Sequence, residues 1–216
     1  MAEQGRTLRK DARRNLEKLL GAAAEVFRER GLGAPLEEIA QRAGVSAGTL
    51  YNRFGTREAL VDAVVPELVA GQLTSVVDAA RALDDPWESF AAYLEGMCGL
   101  QASQPVFADV LTGRYGAAER LGELCHAQNL NAADIVERAR ASGALRADFA
   151  PSDVAVVFLC VARVVEATAG IADDVWRRLL AVLLDGLRAD AAHPLPVPAL
   201  TAAQLDAVTA RASTRR

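Results

Sequence analysis

Aromatic residues make up only 5% of this chain, histidine occurs twice, and cysteine occurs three times. Each shortage excludes a class of chemistry. Cys98, Cys125 and Cys160 are odd in number and widely spaced, so no disulfide framework is expected and the thiols are expected reduced. Cys125 and His126 are adjacent, and neighbours on a helix point about 100° apart, so no ligand pair with metal spacing arises. His193 sits in a Pro-rich stretch, and there is no Gly-rich phosphate loop or nucleophile elbow. The expectation is a chain with no cofactor and no catalytic centre. Long hydrophobic runs are missing too: the longest, from Val154 to Ala162, is stopped by Arg163 and is too short to span a bilayer. With no signal-like apolar stretch near Met1, a cytoplasmic location and no membrane partner are expected.

What remains is rich in Ala, Leu and Val. The 216 residues are 51% hydrophobic, with only eight prolines, which favours helices and supplies ample core for one large domain or a small one plus a medium one. The net charge of −4 is unevenly spread. Residues 1–60 carry 11 Lys/Arg against 8 Asp/Glu, and residues 61–216 carry 13 against 20. Basic character therefore concentrates at the N-terminal end, where Arg6, Arg9, Lys10, Arg13 and Arg14 form a run suited to a polyanion or to solvent.

Periodicity and punctuation divide the chain into helices. Leu16, Leu19, Leu20, Ala23 and Phe27 form one face of a helix from about Asp11 to Arg30, ended by Gly31. Thr56 caps a long helix towards Leu83, and Pro66 inside it predicts a lost hydrogen bond and a kink, either a hinge or a fixed bend. Further helices are predicted over 86–102, 105–111, 117–141, 151–169 and 173–190, with Pro86, Pro105 and Pro151 at their starts. After a Pro-rich segment, 193–198, a weak amphipathic helix over 201–212 is possible. No strand or internal repeat is visible.

Residues 44–57 are the most informative. Leu36, Ile39, Ala40 and Ala43 recur at helical spacing behind Pro35, and Gly44 follows, where a positive φ is tolerated. Val45 can plug the angle between two helices, and Ser46 offers an N-cap to the next. In that second helix Leu50 and Phe54 share one face, leaving Ala47, Gly48, Thr49, Tyr51, Asn52 and Arg53 outward. This is the outline of a helix-turn-helix with a contact surface. Gly48 weakens helix propensity by roughly 1 kcal/mol relative to Ala, which makes sense if something approaches its backbone closely.

The run LEEIAQRAGVSAGTLYNRFGTREAL, residues 36–60, resembles the DNA-binding signature of the TetR family of bacterial transcriptional regulators. The resemblance is close over about the first 60 residues and beyond them extends to length and helical character. It departs at Ala34-Pro35, where many relatives open the second helix with Ser or Thr, and at Arg57, where Lys is commoner. It implies an all-α protein with an N-terminal three-helix DNA-binding domain (1–60), a helical ligand-binding and dimerisation domain (61–192) and a C-terminal tail (193–216). The function implied is sequence-specific binding of double-stranded DNA by a homodimer, most simply a repressor of a palindromic operator released by a small-molecule effector. Ser46, Ala47, Gly48, Thr49, Tyr51, Asn52, Arg53 and Arg57 are the expected DNA contacts, Tyr51 and Arg57 to phosphate and Asn52 and Arg53 to base edges. The competing reading is a small all-α enzyme or ligand carrier with an incidental helix-turn-helix.

The same resemblance points to two further surfaces. Trp87, Phe90, Tyr93, Leu94 and Met97 form a stripe that is either plain core or one wall of an effector pocket. Phe107, Leu111, Leu124 and Phe158 are expected to close such a pocket, with Arg114, Tyr115, His126, Asn129 and Glu166 as further polar groups. The last two long helices are broadly apolar, which core burial alone would explain; the resemblance implies instead that they pack against their copies in a second subunit, with Phe158, Trp176, Leu180, Leu183, Leu184 and Leu187 as the expected dimer contacts.

Overall fold

The computed structural model describes the backbone of residues 2–190 and 192–214, with side chains from 13–190 and 192–211. Arg6, Arg9 and Lys10 therefore lie outside the described side chains. Among the described residues there are ten helices and no strand: α1 (Ala2–Arg30), α2 (Leu36–Ala43), α3 (Ala47–Phe54), α4 (Arg57–Arg81), α5 (Pro86–Ser103), α6 (Pro105–Leu111), α7 (Glu119–Ala141), α8 (Pro151–Thr168), α9 (Val175–Leu187) and α10 (Ala202–Thr214). One isolated bridge pairs Leu145 with Arg188.

The head is built from α1 to α3 and the start of α4. Leu19, Ala23, Val26 and Phe27 of α1 are buried with Ile39 and Ala40 of α2, Leu50 of α3 and Leu60 of α4. Gly44 ends α2 at φ +69°, a left-handed conformation that any Cβ would strain, and Val45 N–H donates back to the Ala40 carbonyl at 3.0 Å. Arg42 of α2 ties the outer faces of α1 and α2 together through Glu29 at 2.8 Å and also pairs along its own helix with Glu38 at 3.6 Å.

In the body α5 is the central helix, packed by α4, α6, α7, α8 and α9. It buries a broad face, from Trp87 and Phe90 to Cys98 and Gln101, against these neighbours and leaves Glu88 and Glu95 exposed on the opposite side. α4 belongs to both head and body. It is long and apolar enough by length and composition to cross a membrane, but Leu60, Val65, Val69, Leu73 and Val77 are buried against the rest of the chain.

Two joints fix the head to the body. Pro66 has no N–H to give the Asp62 carbonyl, and Arg120 Nη1 of α7 supplies the missing donor at 3.2 Å. The Asp62 carboxylate also accepts from Leu121 N–H at 3.0 Å. Ala118, at the N-cap of α7, has no side chain that could do this, so α4 caps α7 from outside. The proline thus sits in a segment tethered to α7. At the second joint, Asp109 of α6 accepts from Leu32 N–H at 2.6 Å, just after α1 ends at Gly31. Gly31 has φ +74°, and a Cβ there would collide with the Asp109 carboxylate.

Candidate functional site

The second helix of the helix-turn-helix is held by few contacts and presents many. Ser46 Oγ accepts from Thr49 N–H at 3.2 Å and lies 2.9 Å from the Thr49 hydroxyl. Leu50 is the buried anchor, and Phe54 and Ala47 are half-buried against the same core. Ala47 is therefore less available than the outward face expected for it. Ser46, Gly48, Thr49, Tyr51, Asn52 and Arg53 are exposed. Asn52 and Arg53 make no hydrogen bond or ion pair with any described residue, and Tyr51 makes only a long one to Glu37, 3.4 Å. A Cβ at Gly48 would meet nothing nearer than Ser46 Oγ at 3.8 Å. Nothing among the described residues requires that glycine.

Arg57 is engaged within the chain. Its Nη1 donates to the Leu32 carbonyl at 2.8 Å and the Ala34 carbonyl at 2.6 Å, and the side chain is partly buried. The guanidinium clamps the loop between α1 and α2 instead of reaching outward. In a loop whose Ala34-Pro35 lacks side-chain hydrogen bonding, an arginine with several donors suits this task better than lysine.

A second feature lies in the body. A cavity of about 350 Å³ opens between α4, α5, α6, α7, α8 and α10. Of the residues expected there, Tyr93, Met97, Leu111, Tyr115 and Phe158 line it, as does Asn129. Five do not. Phe90 packs edge-on to Phe149 at 5.6 Å, Phe107 is fully buried in core, and Trp87 lies in a separate groove beside Trp176. His126 is exposed, and Glu166 is exposed and paired with Arg163. The stripe on α5 splits because that helix has several neighbours: Tyr93 and Met97, four apart, face the cavity, while Trp87 and Phe90 face core and groove. Leu200, Leu205 and Thr209 were not expected, since they come from the segment read as a tail. Their weak signal was the sparse apolar spacing of 200–209.

Burial raises the Tyr93 hydroxyl well above the ordinary tyrosine range, with Cys98 adding to it. Tyr115 is raised likewise by burial and by Cys125, whose own thiol burial pushes up to about 11. Both phenols are therefore neutral donors at physiological pH. Tyr115 also lines a small cleft between head and body with Leu32, Arg57 and Glu58.

The expected dimer contacts divide. Phe158, Trp176, Leu180 and Leu184 are buried within their own subunit, and Leu183 and Leu187 are half-buried. They serve first the packing of α8 and α9 on the body. The outer face of these helices carries Val156, Cys160 and Val182, the last 62% exposed.

A helix-turn-helix head carrying an exposed polar helix, joined through a shared helix to an all-helical body, defines a DNA-binding regulator of the helical two-part class. A family model of bacterial regulatory proteins of the tetR family matches residues 19–64, and one of the SbtR-like transcriptional regulator C-terminal domain matches 85–189. The chain belongs to the TetR family of transcriptional regulators. It is 39% identical over 93 residues to the HTH-type transcriptional activator FasR of Mycolicibacterium smegmatis, covering 43% of this chain and 42% of that protein's length. It is 31% identical to the crystallised TetR regulator SCO0520 of Streptomyces coelicolor, covering 80% of this chain and 97% of that one with a TM-score of 0.48. The ketosteroid transcriptional regulator KstR2 of Mycobacterium tuberculosis shares the fold at 23% identity, 82% and 95% coverage and a TM-score of 0.53.

Proposed function

We propose that this chain binds a palindromic operator as a homodimer and represses transcription until a small molecule enters the cavity of the body. The observation that carries the DNA-binding part is the unpaired Asn52 and Arg53 beside Gly48 on a helix rigidly seated by Ser46 and Leu50. Asn52 and Arg53 read base edges, and Tyr51 and Thr49 take phosphate. Arg57 positions the head. One such short helix touches few base pairs, so two copies about 34 Å apart are needed for a specific site. The outer face of α8 and α9 supplies the dimer contact. The division is a head of 1–60, a body of 61–192 and a C-terminal segment, 193–216, that completes the body's cavity.

Release works through the joints. A ligand pressing on Tyr115 and Leu111 acts on the segment whose Asp109 holds Leu32 and whose neighbouring α7 is capped by Asp62. Small shifts there rotate each head and change the spacing of the two recognition helices. Activation is the second reading, favoured by the likeness to FasR, which is named an activator. Selection of bound sequences from random DNA tests the first part: two inverted half-sites are expected, and no enriched sequence would overturn the proposal. A reporter placed behind the selected site then separates repression, in which deleting the gene raises output, from activation, in which it lowers output.

A further inference from the structure

The C-terminal segment lies beyond the matched SbtR-like domain, which ends at residue 189, yet it is built into the body. Arg146 is only 8% exposed and donates to the Gly186 carbonyl at 3.1 Å, to the His193 carbonyl and to Asp148 at 2.6 Å. Asp148 in turn accepts from Leu195 N–H at 3.1 Å. The guanidinium beside Asp148, with that backbone N–H, holds its carboxyl at about 2, so the clasp stays charged at every ordinary pH. From this clasp the chain runs to α10, where Leu200, Leu205 and Thr209 face the cavity. Gly113 is matched to them: a Cβ there would lie 2.8 Å from Thr209 Cβ, so the turn after α6 admits α10 because it is a glycine.

The lining has a marked chemistry. Among the described residues, no Asp, Glu, Lys, Arg or His borders the cavity. Leu73, Met97, Val110, Val154 and Phe158 supply apolar surface, and Tyr93, Tyr115, Gln128, Asn129, Ser152 and Thr209 supply neutral donors and acceptors. An ionised carboxylate or phosphate enclosed here would lose its water without gaining a counter-charge. A cavity of about 350 Å³ is at the small end for ligand sites, which favours a compact molecule.

We propose that the cavity takes an uncharged, compact and mostly apolar molecule bearing one or two hydrogen-bonding groups, and that the C-terminal segment is the wall that selects it. This rests on the ligand-sensing reading above and names the ligand class for that site. Tyr93 and Tyr115 donate to the ligand's oxygen or nitrogen while α10 excludes water from its apolar side.

Two dyes that share a scaffold test this on the full chain: neutral N-phenyl-1-naphthylamine and its sulfonated anion, 8-anilino-1-naphthalenesulfonate, each followed by fluorescence. The neutral dye is expected to bind once per chain and the anion about tenfold more weakly or worse. Leu111→Trp, which fills the cavity, is expected to abolish the neutral dye's signal and so exclude surface binding. A chain ending at Ala199 and the point variant Leu205→Glu are each expected to weaken the neutral dye about tenfold, with melting temperatures recorded beside them; Leu205→Glu keeps the test decisive if the shortened chain fails to fold. Equal affinity for the two dyes, dye binding unaffected by Leu111→Trp, or neutral-dye binding unchanged by Leu205→Glu would overturn the inference. Selection from random DNA, run in parallel, separates the readings: an enriched site without dye binding removes the ligand class alone, and dye binding without an enriched site removes the regulator reading alone.

Discussion

Gly48 and Arg57 show how the head divides its residues between holding itself together and meeting DNA. Gly48 has room for a methyl group, since the nearest atom to an added Cβ is 3.8 Å away. Gly48→Ala should therefore raise stability by up to about 1 kcal/mol in thermal melting while weakening DNA binding, because the methyl occupies space left for the nucleic acid. A gain in both would show that nothing approaches there. Arg57 has the opposite character. Arg57→Ala leaves the Leu32 and Ala34 carbonyls without their donor and should lower the melting temperature, by about 1–3 kcal/mol in stability, with little change in the salt dependence of whatever DNA binding remains. A full-strength fold with a shallower salt slope would restore the direct phosphate contact. At this scale the sequence disclosed which residues matter better than what they do. Both Asn52 and Arg57 read as contacts, and only the loop carbonyls around Arg57, brought near by folding, separate a positioning residue from a reading one.

Most of the helices were legible because their ends are written locally. Ser46 and Thr56 cap where their hydroxyls suggested, and Pro86, Pro105 and Pro151 open helices whose first N–H needs no partner. The start of α7 was read to within two residues, but its cap was not legible, since Asp62 lies 59 positions before Leu121 on another helix. Asp62→Ala should lower stability by about 1 kcal/mol, the usual worth of a helix cap. The loss should concentrate in the first turn of α7, visible as faster amide exchange from Leu121 onward. Uniform loss over the whole chain would mean that the carboxylate has no local capping role. The cavity was half legible for a related reason: α5 has an apolar stripe, but a helix with several neighbours shows its cavity-facing residues and its core residues to the sequence as one pattern.

For the whole molecule, the outer face of α8 and α9 is the proposed contact between subunits, and it carries the exposed Val156 and Val182. Trp176, Leu180 and Leu184 looked like dimer contacts because breadth of apolar surface marks burial without saying in whose core. The exposed Val182 is the better probe. Val182→Glu places two like charges across a two-fold contact and should convert a dimer to monomers at micromolar concentration in sedimentation experiments, with melting of the single subunit little changed. A dimer that persists would place the contact elsewhere.

The contact between Gly31 and Asp109 has a consequence for heredity as much as for mechanics. Neither residue reaches outward from the recognition helix or borders the cavity, yet together they hold the end of the head's longest helix against α6, whose Val110 and Leu111 line that cavity. If a ligand acts through the cavity as proposed, a genetic selection for chains that still occupy DNA but no longer respond to it is expected to gather alleles at these two positions. Such alleles would spare recognition of both target and signal and lose only the conversation between them.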